Sequence, residues 1–205
     1  MKRDVAKDLP DKEENIAYCE KTPELREFYL EDLDSTNQEI FNKAANGGFE
    51  KNKLSIFAAL LRLRQICCHP RLFDKDNIRG INESGKFEKL KSMLEEIIEE
   101  GHKVLIFSQF VEMLDIMRNW LQEKGIRHEY LTGQTKDRKE AVERFNSTPS
   151  IPIFLISLKA GGTGLNLTGA DYVIHYDPWW NPAVEDQATD RAYRIGQTKK
   201  VFVYR

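Results

Sequence analysis

Val104-Leu-Ile-Phe-Ser108 is an unbroken apolar run ending in a hydroxyl. A strand without polar alternation is a strand buried on both faces. Amphipathic helical patterns flank it: Lys86 to Glu100, stopped by Gly101, and Phe110 to Lys124, stopped by Gly125. The alternation continues outward. Arg127 to Leu131 reads as a strand, Lys136 to Asn146 as a helix capped by Thr135, and Ile153 to Ser157 as a second buried strand. Tyr172 to Tyr176 and Val201 to Tyr204 read as two more strands, and Asn181-Pro182 opens a helix between them. Strands alternating with helices predict an α/β fold, a parallel sheet with helices on both faces. Such sheets bind ligands at the carboxyl ends of their strands.

Residues 1–85 read differently, as mostly helical. Thr22-Pro23 is a helix start, with Thr as N-cap and Pro in the first turn. That helix is expected to run to about Ala45 and stop at Gly47-Gly48. A second, from about Lys51 to Cys67, carries Leu54, Phe57, Ala58, Leu61 and Ile66 at helical spacing and ends before His69-Pro70. Together they predict a helical hairpin. Asp74 to Ser84 reads as an exposed connector to the α/β region at 86–205.

At 205 residues the chain is long enough for one sizeable core and an appended helical piece. No apolar stretch approaches the roughly 18 residues that cross a bilayer, and the charged N-terminus lacks the apolar segment of a secretory signal. An intracellular location is therefore expected. Three cysteines, with no Cys-x-x-Cys pair, indicate neither a disulfide framework nor a zinc site, and all three read as buried structural thiols. A net charge of −2 does not fit a free-standing non-specific DNA binder, so any nucleic-acid contact is local.

The chemistry concentrates in the C-terminal half. Gln187, Arg191 and Arg194 stand at i, i+4 and i+7 within Asp186–Gln197, a spacing that predicts one helical stripe. Two guanidiniums and an amide on one stripe would grip phosphate oxygens. Lys159-Ala-Gly-Gly-Thr-Gly-Leu-Asn-Leu167 follows a core strand. Its glycines, among them Gly162 and Gly164, let backbone N–H groups approach a phosphate, with Lys159 and Ser157 beside them. The Rossmann fingerprint fails, because its third position is Leu167. Gly80-Ile-Asn-Glu-Ser-Gly-Lys-Phe87 nearly spells a Walker A loop, but Phe87 replaces the hydroxyl that ligates magnesium and no buried strand precedes it. Phosphate-gripping arginines without a nucleotide cradle make half of a site. Ser108 and Gln109, Thr132, and Ser157 with Lys159 follow three strands at one sheet edge, a row suited to a nucleic-acid backbone, although each alone also fits a local cap. The tryptophans of Asp177-Pro-Trp-Trp-Asn-Pro182 fit core or interface packing, with base stacking as the alternative.

These motifs resemble those of one family: the C-terminal RecA-like lobe of SWI/SNF-type DNA-dependent ATPases, in helicase superfamily two. Ser108-Gln-Phe110 resembles motif IV, Leu131-Thr-Gly133 motif IVa, Ser157 to Leu167 motif V, and Gln187 to Gln197 motif VI. Asp177-Pro-Trp-Trp-Asn-Pro182 and the ending Arg-Ile-Gly-Gln197 resemble this family more than the RNA helicases of the superfamily. Leu63-Arg-Gln-Ile-Cys-Cys-His-Pro70 resembles its segment ahead of the second lobe, and Lys7-Asp-Leu-Pro-Asp-Lys12 the junction into that lobe. The resemblance implies a RecA-like second lobe at 86–205, preceded by a helical lead-in and a protruding hairpin at 1–85. It implies a motor that hydrolyses ATP with Mg2+ while tracking double-stranded DNA without separating it. Arg191 and Arg194 would reach the phosphates as arginine fingers, with Gln187 organising the site. Gly162 and Gly164 would couple nucleotide to DNA, and Ser108, Gln109, Thr132, Ser157 and Lys159 would face the DNA backbone. The missing N-terminal lobe would supply the nucleotide cradle, so the chain is expected to be a piece of a longer motor, inactive alone and without a metal site of its own. Regulatory proteins are expected as further partners. The alternative is a non-catalytic DNA- or protein-binding module.

Overall fold

The computed structural model describes residues 9–161 and 164–205, with the backbone alone over 43–52. In chain order the elements are β1 (Lys12–Asn15), α1 (Pro23–Cys68), α2 (Gly85–Glu99), β2 (Val104–Ser108), α3 (Val111–Glu123), β3 (His128–Leu131), α4 (Arg138–Ser147), β4 (Ile153–Ser157), α5 (Leu158–Gly161), β5 (Tyr172–His175), α6 (Pro182–Thr189) and β6 (Val201–Tyr204). They form two compact units, Met1–Ala17 with Leu94–Arg205, and Tyr18–Met93.

The first unit is built on a six-stranded, wholly parallel sheet in the order β1-β6-β5-β2-β4-β3. This is the parallel α/β sheet that the alternating pattern predicts. Every residue of β2 and β4 is buried, as continuous apolar strands at the sheet centre must be. Leu105, Phe107, Phe154, Ile156, Val173 and Val203 join Phe145 of α4 and Ala188 of α6 in one core. Each large side chain removed from water there contributes about 1.5–3 kcal/mol.

One strand escapes the sequence pattern. β1 is Lys-Glu-Glu-Asn, with no apolar residue, yet it pairs in parallel with β6 from Lys12↔Val201 to Asn15↔Tyr204. An edge strand can be polar on both faces because its partner supplies the ladder. The cap of α4 also differs from expectation. The helix starts at Arg138, and Thr135 Oγ1 instead accepts from the Thr132 N–H at 2.9 Å, closing the turn after β3.

The second unit is dominated by α1. Thr22 caps it as expected, its hydroxyl accepting from Leu25 N–H, with Pro23 in the first turn. The end is also as expected: His69 is extended and Pro70 cannot continue the helix. Helical backbone runs unbroken from Pro23 to Cys68, yet Arg62 binds the Asp32 carboxylate at 2.9 Å and the Thr36 hydroxyl at 2.8 Å. In a straight helix thirty residues span about 45 Å. Leu25 and Phe28 also share one cluster with Ile66. The two ends of α1 therefore share contacts, but the predicted stop at Gly47-Gly48 is not seen: helical backbone is continuous through it. The buried stripe differs from the expected one. It is Ala59, Leu63 and Ile66, while Leu54, Phe57 and Leu61 are exposed. Asp32 and Thr36 on the first arm draw Arg62 inward, and this fixes the rotation of the second arm. Of the cysteines only Cys68 is buried; Cys67 is half-buried and Cys19 exposed.

The connector ends in a tight joint. Ser84 is buried, donating its hydroxyl to Cys68 O at 2.9 Å and accepting from Phe87 N–H. Beside it, a Cβ on Gly85 would stand 2.0 Å from the Glu20 carbonyl oxygen. That neighbour is backbone and cannot rotate away. Gly85→Ala is expected to cost about 2 kcal/mol or more, read as a lower urea midpoint; an unchanged midpoint would refute the close approach. Among the described residues, no helix is long and apolar enough to cross a membrane.

Candidate phosphate and nucleic-acid site

Strand register gathers the candidates from the middle of the sheet. Ser108 of β2 lies opposite Ser157 of β4, and Leu131 of β3 opposite Ile156, so Ser108, Ser157 and Thr132 meet at one carboxyl edge. All three are buried. Ser108 Oγ accepts from Phe110 N–H at 3.1 Å and Thr132 Oγ1 from Gln134 N–H at 3.3 Å. Those two hydroxyls shape their loops. Lys159 is exposed and Gln109 half-buried at the same edge. The Gln109 N–H donates to the buried Asp177 carboxylate, tying the loop after β2 to the loop after β5.

The arginines are not on a helical stripe. α6 ends at Thr189, and only the exposed Gln187 belongs to it. Beyond Asp190 the chain tightens, with Arg191 N–H bonded to Ala188 O and Ala192 N–H to Thr189 O. Ala192 and Tyr193 of this turn are both buried in the core, which leaves Arg191 and Arg194 flanking a buried pair.

What the turn achieves is an interlock with the glycine-rich loop. Leu167 N–H donates to Arg191 O at 2.9 Å, and Arg194 Nη1 to Leu165 O at 3.1 Å. Gln197 is buried, and its amide nitrogen reaches Thr168 O, Ala170 O and Ala192 O at 3.2, 2.8 and 3.1 Å. Its Oε1 accepts from Thr198 and Lys199 N–H. On the other side of the loop, Asn146 of α4 donates to Asn166 O and accepts from Gly169 N–H. Gly164 has φ +41°, a left-handed conformation that favours glycine, and is exposed. Gly162 lies outside the described residues, as do Lys7 and Asp8 of the junction segment.

The sequence motifs contain Asp177 and Gln197 but give neither a role of its own, and Glu185 is not singled out. All three are buried, and their partners are set by the tertiary fold, so no local pattern reveals what they bind. Glu185 Oε1 accepts from Trp179 N–H at 2.6 Å, and Trp179 packs on the core while Trp180 is exposed. The two tryptophans therefore divide, one to packing and one to the surface.

A buried imidazole underlies the site. His175 stacks on Phe107 with centroids 5.6 Å apart, and its Nε2 lies 2.9 Å from Thr189 Oγ1. Burial pulls its pKa down to about 4, against the opposing influence of Glu185. In the helical unit, burial and then the Arg71 charge pull His69 down to about 4. Both stay neutral in the fold while the unfolded chain binds protons from about pH 6.5 downward. Their stabilisation is complete above that pH and is lost as pH falls toward 4, by up to about 3 kcal/mol per histidine. The urea midpoint is expected to drop across this window, and His175→Gln to flatten the drop for the sheet unit. A slope unaltered by the substitution would overturn the assignment.

Comparison with known proteins fits this geometry. Residues 85–196 match the helicase conserved C-terminal domain, and residues 1–72 the SNF2-related domain. An uncharacterized ATP-dependent helicase of Mycoplasma pneumoniae is 40% identical across the whole chain, which covers 19% of that protein. The solved Sulfolobus solfataricus SWI2/SNF2 ATPase core in complex with dsDNA superposes with a TM-score of 0.78 at 38% identity, over 95% of this chain and 40% of that one. The C-terminal part of the Fun30 ATPase domain gives a TM-score of 0.80 at 27% identity, over 96% and 84% of the two chains. The chain belongs to the helicase C-terminal domain family, as a RecA-like lobe of the SWI/SNF type. It spans about a fifth of the length of the curated relatives it matches.

Proposed function

We propose that this chain is the second motor lobe of an ATP-dependent translocase acting on double-stranded DNA. The observation that carries the reading is the interlock just described. Two arginines, the residue type suited to phosphate charge, are hydrogen-bonded through their own segment to a glycine-rich loop at the ligand-binding edge of the sheet. Movement of either part displaces the other. In this reading Arg191 and Arg194 stabilise charge on the γ-phosphate of ATP held by the N-terminal lobe, and Gln187 helps organise that site. Gly162 and Gly164 belong to the loop that relays the nucleotide state. Gln109, Ser157 and Lys159 face the DNA backbone together with Ser108 and Thr132, whose hydroxyls also brace their own loops.

The proposed division is a helical lead-in with its hairpin at 1–85 and the lobe at 86–205, β1 being lent to the lobe's sheet. ATP and Mg2+ belong to the assembled motor, where the metal supplies charge neutralisation at the phosphates. The cation ligands are assigned to the other lobe, as the resemblance to SWI/SNF-type motors implies. Regulatory proteins and an intracellular setting, where ATP and duplex DNA occur, complete the reading.

The test is ATP turnover by this chain alone, with and without duplex DNA. None is expected, because half of a phosphate site lacks the groups that position the nucleotide. DNA-stimulated turnover would place a complete nucleotide site here and overturn the half-site reading.

A further inference from the structure

We propose that Arg205 is a positioning residue that fixes the arginine-bearing segment to β1. The inference rests on the reading of this chain as a motor lobe. Arg205 follows β6 directly, and its backbone continues the edge ladder: its N–H donates to Asn15 O at 3.0 Å, and its carbonyl accepts from Ala17 N–H at 2.8 Å. Its guanidinium turns the other way. Nε donates to Glu185 Oε2 at 2.9 Å, Nη2 to Asp186 Oδ1 at 3.3 Å, and Nη1 to Glu14 Oε2 at 2.7 Å. One planar group thus gathers three carboxylates, two from the middle of α6 and one from β1. A lysine ammonium lacks the fixed fork needed to hold all three at once.

The geometry gives this network consequences that a solvated ion pair lacks. The Glu185 side chain is only 5% exposed, and its second oxygen holds the Trp179 N–H. The carboxylate therefore fixes the loop after β5 and the start of α6 together. α6 is short, and four residues past Asp190 the chain reaches Arg194. A second tie reaches that segment directly: Lys12 Nζ of β1 lies 5.7 Å from the ring centroid of Tyr193, between the two arginines. β1 falls within the residues matched to the SNF2-related domain, and α6 within those matched to the helicase C-terminal domain. Arg205 is thus the side chain through which a displacement of β1 would move the turn that carries Arg191 and Arg194.

The test uses a motor containing both lobes and begins from Glu14→Ala. Glu14 is 42% exposed, and its loss leaves Arg205 paired with Glu185 and Asp186, so the fold is not threatened. DNA-stimulated kcat is expected to fall about tenfold, with KM for ATP and the unfolding midpoint unchanged. Glu14→Gln, which keeps an oxygen acceptor at the same reach, is expected to recover most of the rate. Wild-type kcat in Glu14→Ala would overturn the proposal, and so would a fall in kcat that tracks a lowered unfolding midpoint or that Glu14→Gln does not relieve. Failure of the underlying motor reading is separately visible, as wild-type turnover insensitive to Arg191→Ala.

Discussion

Arg191→Ala or Arg194→Ala, made in a motor that carries both lobes, is expected to cut ATP turnover by about a thousandfold. An arginine that meets γ-phosphate charge acts in the transition state more than in the bound ground state, so kcat should fall while KM for ATP changes little. Lysine should rescue neither, because a point charge does not reproduce the fork. The two positions should also differ. Arg194 donates to Leu165 O and so holds the glycine-rich loop, whereas Arg191 meets that loop through its backbone carbonyl, which Ala retains. Arg194→Ala should therefore weaken DNA stimulation in addition to turnover, and Arg191→Ala turnover alone. Wild-type turnover in either variant would remove that residue from the phosphate site.

The second large effect is expected at Gln197. Its amide nitrogen serves three carbonyl oxygens from two loops, and two backbone N–H groups point at its oxygen. Gln197→Glu keeps the shape and the acceptor but sets a buried carboxylate against Thr168 O, Ala170 O and Ala192 O. One carboxylate oxygen keeps the Thr198 and Lys199 N–H donors, but the other faces three acceptors, unsolvated and without a donor, so the variant is expected to lose about 3 kcal/mol or more. Gln197→Met, similar in volume and uncharged, leaves the same carbonyls unmet but adds no charge, and should be the milder of the two. Urea unfolding of the three chains decides the matter. A Gln197→Glu midpoint equal to wild type would mean the buried network does not hold these loops.

Much of the fold was legible because its signals are local. Val104–Ser108 and Ile153–Ser157 are continuous apolar runs and became the fully buried β2 and β4, while Val201–Tyr204 became β6. Gly101 and Gly125 end α2 and α3 with positive φ, at the predicted stops. Thr22-Pro23 marked the start of α1, whereas the stop expected at Gly47-Gly48 is absent, helical backbone running on to Cys68. Of the site, sequence placed the Ser108, Ser157 and Thr132 positions at one sheet edge, because strand ends follow from strand identity.

What the tertiary structure decided is everything that depends on a distant partner. Lys12–Asn15 is a strand only because β6 offers it a ladder nearly two hundred residues later. Arg191 and Arg194 lie beyond the end of α6, in a turn whose Ala192 and Tyr193 are packed in the core by distant strands. Ser108 and Thr132 spend their hydroxyls inside their own loops, and Gln197 and Glu185 become anchors once the fold removes them from water and surrounds them with donors and acceptors. Periodicity, caps and turns are written in neighbouring residues. Which polar atom is buried, and what then satisfies it, is set by chain segments far apart in sequence that only the packed sheet brings together.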